Sequence, residues 1–195
     1  MTSPKPQTAR PQYADRVFRS PMGVLGGVLL LGLGGWMAGN AVLQGTGRAP
    51  WLALAAAIAL APLVIAFTLR PVVYASDARM LVRNPFRTIT IPWAHITELR
   101  SGYSNEVLTD GAKYQLWSIP VSLRARKKAT HRTSRQLQGY HRASTDQYME
   151  ELRQLAERNA VNGGAKDEIA IRWAYEIIAP AAAGMIIFAV LLAKA

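Results

Sequence analysis

The chain has 195 residues and a formal net charge of +11, from 23 Lys and Arg against 12 Asp and Glu; half of its residues are hydrophobic and it has no cysteine. Lack of cysteine excludes disulfides, a thiolate nucleophile and Cys-based metal or cluster sites. The charge alone would point to nucleic acid, but the hydrophobic residues pile up in a few long blocks, which is the mark of a membrane protein.

The first segment, 1–21, reads as a basic tail, with Lys5, Arg10, Arg16 and Arg19 against Asp15. An uncharged block, MGVLGGVLLLGLGGWMAGNAVL, follows from Met22 to Leu43, and a second runs from Pro50 to Leu69. A hydrocarbon core of about 30 Å needs roughly 20 helical residues, so each block can span it. The first is too long for the apolar core of a signal peptide, and a second span follows at once. The short link QGTGRA makes the two an antiparallel hairpin over 22–69. Gly23 and Gly27, and Gly35 and Gly39, are four residues apart, and the second block is rich in Ala. Small residues let helices approach closely in lipid, either within the hairpin or between two copies; packing within the hairpin is favoured.

The segment 70–120 reads as strands. PVVYA and ARMLVRN are divided by the turn signal Ser76-Asp77, and Asn84-Pro85 makes a second turn. In RTITIPW the residues Ile89, Ile91 and Trp93 fall on one face and Thr88 and Thr90 on the other. AHITELR and NEVLT follow, then Asp110-Gly111, a strong hairpin signal, then AKYQLWSI. About six short strands with tight turns predict a small antiparallel barrel or sandwich. Tyr114 and Trp117 fall on opposite faces of the last strand, so one of them is expected to be exposed.

A basic insert covers 121–143 and contains RARKKATHRTSR, with Arg124, Arg126, Lys127, Lys128, Arg132 and Arg135 and no acid. An amphipathic helix is predicted over 144–160, opened by a Ser144–Gln147 capping box and carrying Tyr148, Leu152, Leu155 and Ala156 on one face. VNGGAKDE breaks it within a linker, 161–173, and a third apolar block occupies 174–195, with Pro180 in its first turns. The segment 70–172 holds 17 Lys and Arg, and the loop between the first two spans only Arg48. The positive-inside rule then places the N-terminus and the central segment in the cytoplasm and the C-terminus outside, in the plasma membrane.

The stretch Arg70–Ile119, through ARMLVRNPFRTITIPWAHITELR and LTDGAKYQLWSIP, resembles the bacterial PH-like domain of small actinobacterial membrane proteins related to mycobacterial low-molecular-weight antigen 6. Trp93, followed by His95 and Ile96, matches that pattern. The resemblance implies a PH-like bent barrel closed by a C-terminal helix; with the apolar blocks this makes a membrane α+β protein: a two-helix transmembrane hairpin, the barrel with its helix, and a third transmembrane helix that lies beyond the family's core pattern. PH domains elsewhere often bind phosphoinositides through basic residues between the first two strands; here that loop is Ser76-Asp77-Ala78, short and acidic, so no such site is carried over.

No catalytic, metal or cofactor site is expected. The three histidines, His95, His131 and His141, lack partners at ligand spacing, and there is no HExxH, GxSxG, P-loop or dinucleotide fingerprint. Two functions remain in view. One is an accessory protein presenting the PH-like domain to a protein partner in a membrane complex. The other is an anionic-lipid module at the inner leaflet. The contact candidates are Arg124, Arg126, Lys127, Lys128, Arg132, Arg135 and Trp117; each basic residue near an anionic surface contributes about 1 kcal/mol. Nucleic acid is the weaker third reading, because a membrane tether keeps the basic run from most of it.

Overall fold

The computed structural model describes residues 16–119, 135–159 and 168–194, with side chains in all but 135–145. The chain opens with a short strand, β1 (Arg16–Phe18), that runs directly into α1 (Pro21–Gln44). The entry is well built. Ser20 Oγ accepts a hydrogen bond from Gly23 N at 3.2 Å, and Pro21 takes the first helical turn, where its missing N–H costs nothing. After a tight loop, α2 (Ala49–Val64) returns and passes into a π-helical turn, Ile65–Leu69. Pro62 in the last turn of α2 removes one backbone donor from the ladder just before the helix widens.

Six strands follow: β2 (Val72–Ala75), β3 (Arg79–Arg83), β4 (Arg87–Pro92), β5 (Ile96–Ser101), β6 (Asn105–Thr109) and β7 (Lys113–Gln115). Then come α3 (Arg135–Asn159), β8 (Ala170–Trp173) and α4 (Tyr175–Ala193). The strands form two antiparallel sheets, one in the order β1-β2-β3-β4-β8 and one in the order β5-β6-β7. The fold is therefore α+β with three helices long and apolar enough to cross a membrane. The expected barrel is corrected: the sheets do not close on one another. Pro92 ends β4, a 3₁₀ turn at Trp93–His95 diverts the chain into the second sheet, and β8 occupies the edge of β4.

Both sheets share one core. Val73, Met80, Val82, Ile89, Ile91 and Trp93 from the larger sheet meet Leu99, Val107 and Tyr114 from the smaller. Met149 and Leu152 of α3 cover them, with Tyr148, Leu155 and Ala156 at the margin. Fully burying a side chain of this size contributes about 2 kcal/mol, so α3 is held by its apolar face more than by its helix propensity. Arg153 adds two hydrogen bonds to Leu99 O of β5 at 3.2 Å. The helix starts at Arg135, ahead of Ser144, so Ser144 lies within it and not at its cap. No proline interrupts 121–159, and the residues before Ser144 include good helix formers that carry the helix back.

Two segments read as tail and linker supply strands. β1 pairs with β2 (Val17 opposite Tyr74) and β8 pairs with β4 (Thr88 opposite Arg172). β1 leads into α1, β2 emerges from α2, and β8 leads into α4. All three strands meet the helices at the same side of the sheet, since β1, β3 and β8 run opposite to β2 and β4. The N-terminal strand and the sheet domain thus lie on one side of the spans, and the α1–α2 loop on the other.

Among the spans, α2 sits between α1 and α4. A side chain at Gly27 would collide with Thr68, and a Cβ at Gly184 would fall 2.4 Å from Ala59 N. Close approach thus joins Gly27 to the end of α2, as expected, but the tightest backbone contact of α2 is with α4. Gly35 and Gly39 have open space around them. Overpacking a tight helix contact costs about 1–3 kcal/mol. Gly184→Leu is therefore expected to lower the unfolding midpoint in detergent, and Gly35→Leu to leave it unchanged; equal midpoints for both variants would contradict the α2–α4 contact.

Candidate functional site

The junction between domain and helices is built around Arg70, the residue between the π turn and Pro71. Its guanidinium donates from Nε to Asn84 O (3.2 Å), from Nη1 to Glu176 Oε1 (2.9 Å) and from Nη2 to Thr88 Oγ1 (3.3 Å). One side chain thereby ties the end of α2 to the β3–β4 turn, to β4 and to the first turn of α4. Its exposure is only 15%, whereas Glu176 faces outward, so the hydrogen bonds carry more of the interaction than the ion pair does. Glu176 also suits its place, because a carboxylate in the first turn complements the helix dipole.

An apolar contact backs this latch. Phe86, in the β3–β4 turn, packs against Ala66, Ala174 and Ile177, and its carbonyl accepts from Ala174 N at 2.8 Å. Phe67 of the π turn meets Phe86 edge-on at 5.4 Å and Trp117 at 5.7 Å. Asn84, buried in the same turn, joins the two sheets by donating Nδ2 to Gln115 O at 2.9 Å. The sequence signalled Asn84-Pro85 only as a turn; its clasp on β7 needed the fold to be seen.

Next to the latch, the outer face of the larger sheet carries a groove of about 720 Å³. Its floor follows from the register. Arg83, Thr88 and Arg172 lie opposite one another across β3, β4 and β8, and Tyr74, Leu81 and Thr90 form the row beyond them. Arg70 and Glu176 close the end nearest the spans. The Arg83 guanidinium lies 5.5 Å from the Tyr74 ring centre, a cation–π distance. A second hollow, about 410 Å³, lies between β1 and α3; there Arg16 pairs with Glu151, and Glu150 and Arg158 keep the charges balanced.

Of the residues picked from sequence, Trp117 falls just beyond β7 and is 47% exposed, while Tyr114 is buried. Arg124, Arg126, Lys127, Lys128 and Arg132 lie outside the described residues, and Arg135 begins α3. None of these was Arg70, Arg83 or Arg172, which sequence reasoning had counted only toward topology. The signal available was the outward parity of Thr88 and Thr90; what it lacked was the pairing of β8. The most exposed aromatic of the two sheets is Tyr103, 88% exposed in the β5–β6 turn. No group of three or more His, Asp or Glu side chains able to hold a metal occurs among the described residues.

The family model of the bacterial PH domain matches residues 70–156, from the latch arginine through all six central strands and most of α3. This segment is similar to a bacterial PH domain. No curated protein and no solved structure matches the chain. The match stops short of β1, β8 and the three apolar helices, while Arg70, Asn84, Phe86 and Thr88 of the junction fall inside it.

Arg70→Gln removes most of the latch's charge-assisted bonds, each contributing about 1.5–3 kcal/mol. The variant is expected to melt several degrees below the parent in detergent and to exchange amide hydrogen faster at Ala174, whose donor depends on the β3–β4 turn. Unchanged exchange there would show that Phe86 holds the junction alone.

Proposed function

We propose that this chain is a non-enzymatic plasma-membrane protein that presents its PH-like domain on the cytoplasmic side for protein–protein interaction, as an accessory or assembly component of a membrane complex. The N-terminus shares that side and the C-terminus lies outside, in keeping with the 17 Lys and Arg of 70–172 against the single Arg48 of the short loop. The match to a family of interaction modules supports the reading. The observation that carries it is Tyr103. A nearly free aromatic ring at the tip of a turn, on a domain locked to its anchor, is the kind of rigid amphipathic anchor that protein interfaces use. The likeness to the actinobacterial antigen 6 membrane proteins fits this reading but names no partner.

A second reading draws on the basic run Arg124–Arg135, whose six cations suit an anionic inner leaflet. Three spans already anchor the chain, so such binding would set orientation or lipid choice and not attachment.

A photo-crosslinking amino acid in place of Tyr103, in cells, separates the two. Irradiation is expected to yield a discrete adduct with one protein, and the adduct should vanish when the same group is placed at Lys113. Adducts with lipid alone would contradict the protein-interaction reading. For the second reading, neutralising Arg124, Arg126, Lys127 and Lys128 should weaken the preference of the full chain for anionic over zwitterionic lipid; an unchanged preference would count against it.

A further inference from the structure

We propose that the groove on the outer face of the larger sheet, where that sheet meets α2 and α4, is a binding site for a phosphate ester, supplied by the headgroup of an anionic phospholipid. The inference is independent of the protein-interaction reading. It also differs from the lipid reading above in its residues, since none of them lies in the basic run.

Arg83 and Arg172 flank Thr88 in one row and on one face, each one strand away from it. Two strand spacings put their Cα atoms about 10 Å apart. Arg70 reaches the same threonine from below, donating to Thr88 Oγ1. One guanidinium thus touches this hydroxyl and two more arginines flank its residue in the register, and the Thr88 hydrogen, with its oxygen already accepting from Arg70, is left to donate. Thr90 and Tyr74 add hydroxyls in the next row. Arginine forks and hydroxyl donors around one point are the chemistry that binds a phosphate.

Part of this charge is spent on the protein: Arg70 bonds to Asn84, Thr88 and Glu176, Arg83 lies against the Tyr74 ring, and Arg172 attracts Glu176. Among the described residues, Glu176 is the one carboxylate lining the groove, and it pairs with Arg70. Neither Arg83 nor Arg172 forms an ion pair with a described residue. A plain structural role explains only part of this. Arg172 lies on the edge strand β8, where a charge guards an open edge against other chains. That reason does not reach Arg83, which lies on the interior strand β3. The balanced hollow between β1 and α3 shows the contrast, since there cations and acids are matched.

Position selects the source of the phosphate. The groove ends on Arg70 and Glu176, at the last turn of one span and the first turn of another, which is the headgroup level of a bilayer. Trp173 and Tyr175, both exposed, stand at the same level, as interfacial aromatics do. The groove's volume lies within the usual range for small-molecule sites.

The test uses the full chain in a zwitterionic detergent and native mass spectrometry, with titrated dioleoyl phosphatidylglycerol or dioleoyl phosphatidylcholine. The parent chain is expected to retain phosphatidylglycerol about tenfold more strongly, and Arg83→Gln/Arg172→Gln to lose that preference. Arg100→Gln/Arg158→Gln, which removes the same charge from outside the groove, should keep it. Inorganic phosphate, read by its effect on the melting temperature, provides the second arm. A rise in melting temperature that the groove variant loses, without a lipid preference, would support the phosphate site and move its source to a soluble ester. Equal retention of the two lipids together with no effect of phosphate on the parent would overturn the proposal, whatever the variants do. So would a lipid preference that the groove variant and the control lose alike.

Discussion

A single arginine between a helix end and a proline ties the larger sheet to two of the apolar helices. Arg70 joins α2, the β3–β4 turn, β4 and α4 through three hydrogen bonds, and Phe86 fills the apolar space between the spans beside it. Without that junction the PH-like domain would hang from the membrane by its chain connections. With it, the domain's orientation relative to the three apolar helices is set by packing. The exposed Tyr103, the half-exposed Trp117 and the groove around Thr88 each depend on that fixed orientation to face a constant environment.

The same constraint explains why the sheets stay apart. β1 and β8 are only three and four residues long, too short to be stable as isolated pairs. Each adjoins a span, so the membrane helices supply the ordering that such short strands cannot. Once β8 lies on β4, that edge is no longer available to the smaller sheet, and Pro92 with the following turn leads β5 elsewhere. The core is then closed by α3, through Met149 and Leu152, in place of further strand pairing.

Much of this was legible in residue patterns. The three apolar blocks became α1, α2 with its π turn, and α4. The alternation of Ile89, Ile91 and Trp93 marked the buried face, and Asp110-Gly111 marked the turn between β6 and β7. Leu152 marked the inner face of α3. What was not legible is long-range and polar. Arg70 and Glu176 are separated by 106 positions, and nothing local in either predicts the other. β1 and β8 show too few residues for a period to appear. The three arginines of the groove come from the end of α2, from β3 and from β8, so the cluster exists only after the strand order is known. The dense basic run drew attention because it is contiguous, while the groove gathers its three arginines from scattered positions.

A domain clamped to its spans gives both surfaces a defined place: the aromatic turn proposed to meet a protein and the cationic groove proposed to take a phosphate ester. The clamp is the central claim. Because the chain has no cysteine, spin labels can be placed at will, through Lys113→Cys on β7 and Lys194→Cys at the end of α4. Electron–electron distance measurement in lipid nanodiscs should give one narrow distribution, which broadens when Arg70→Gln is added. A broad distribution in the parent chain would contradict a domain locked to the membrane helices.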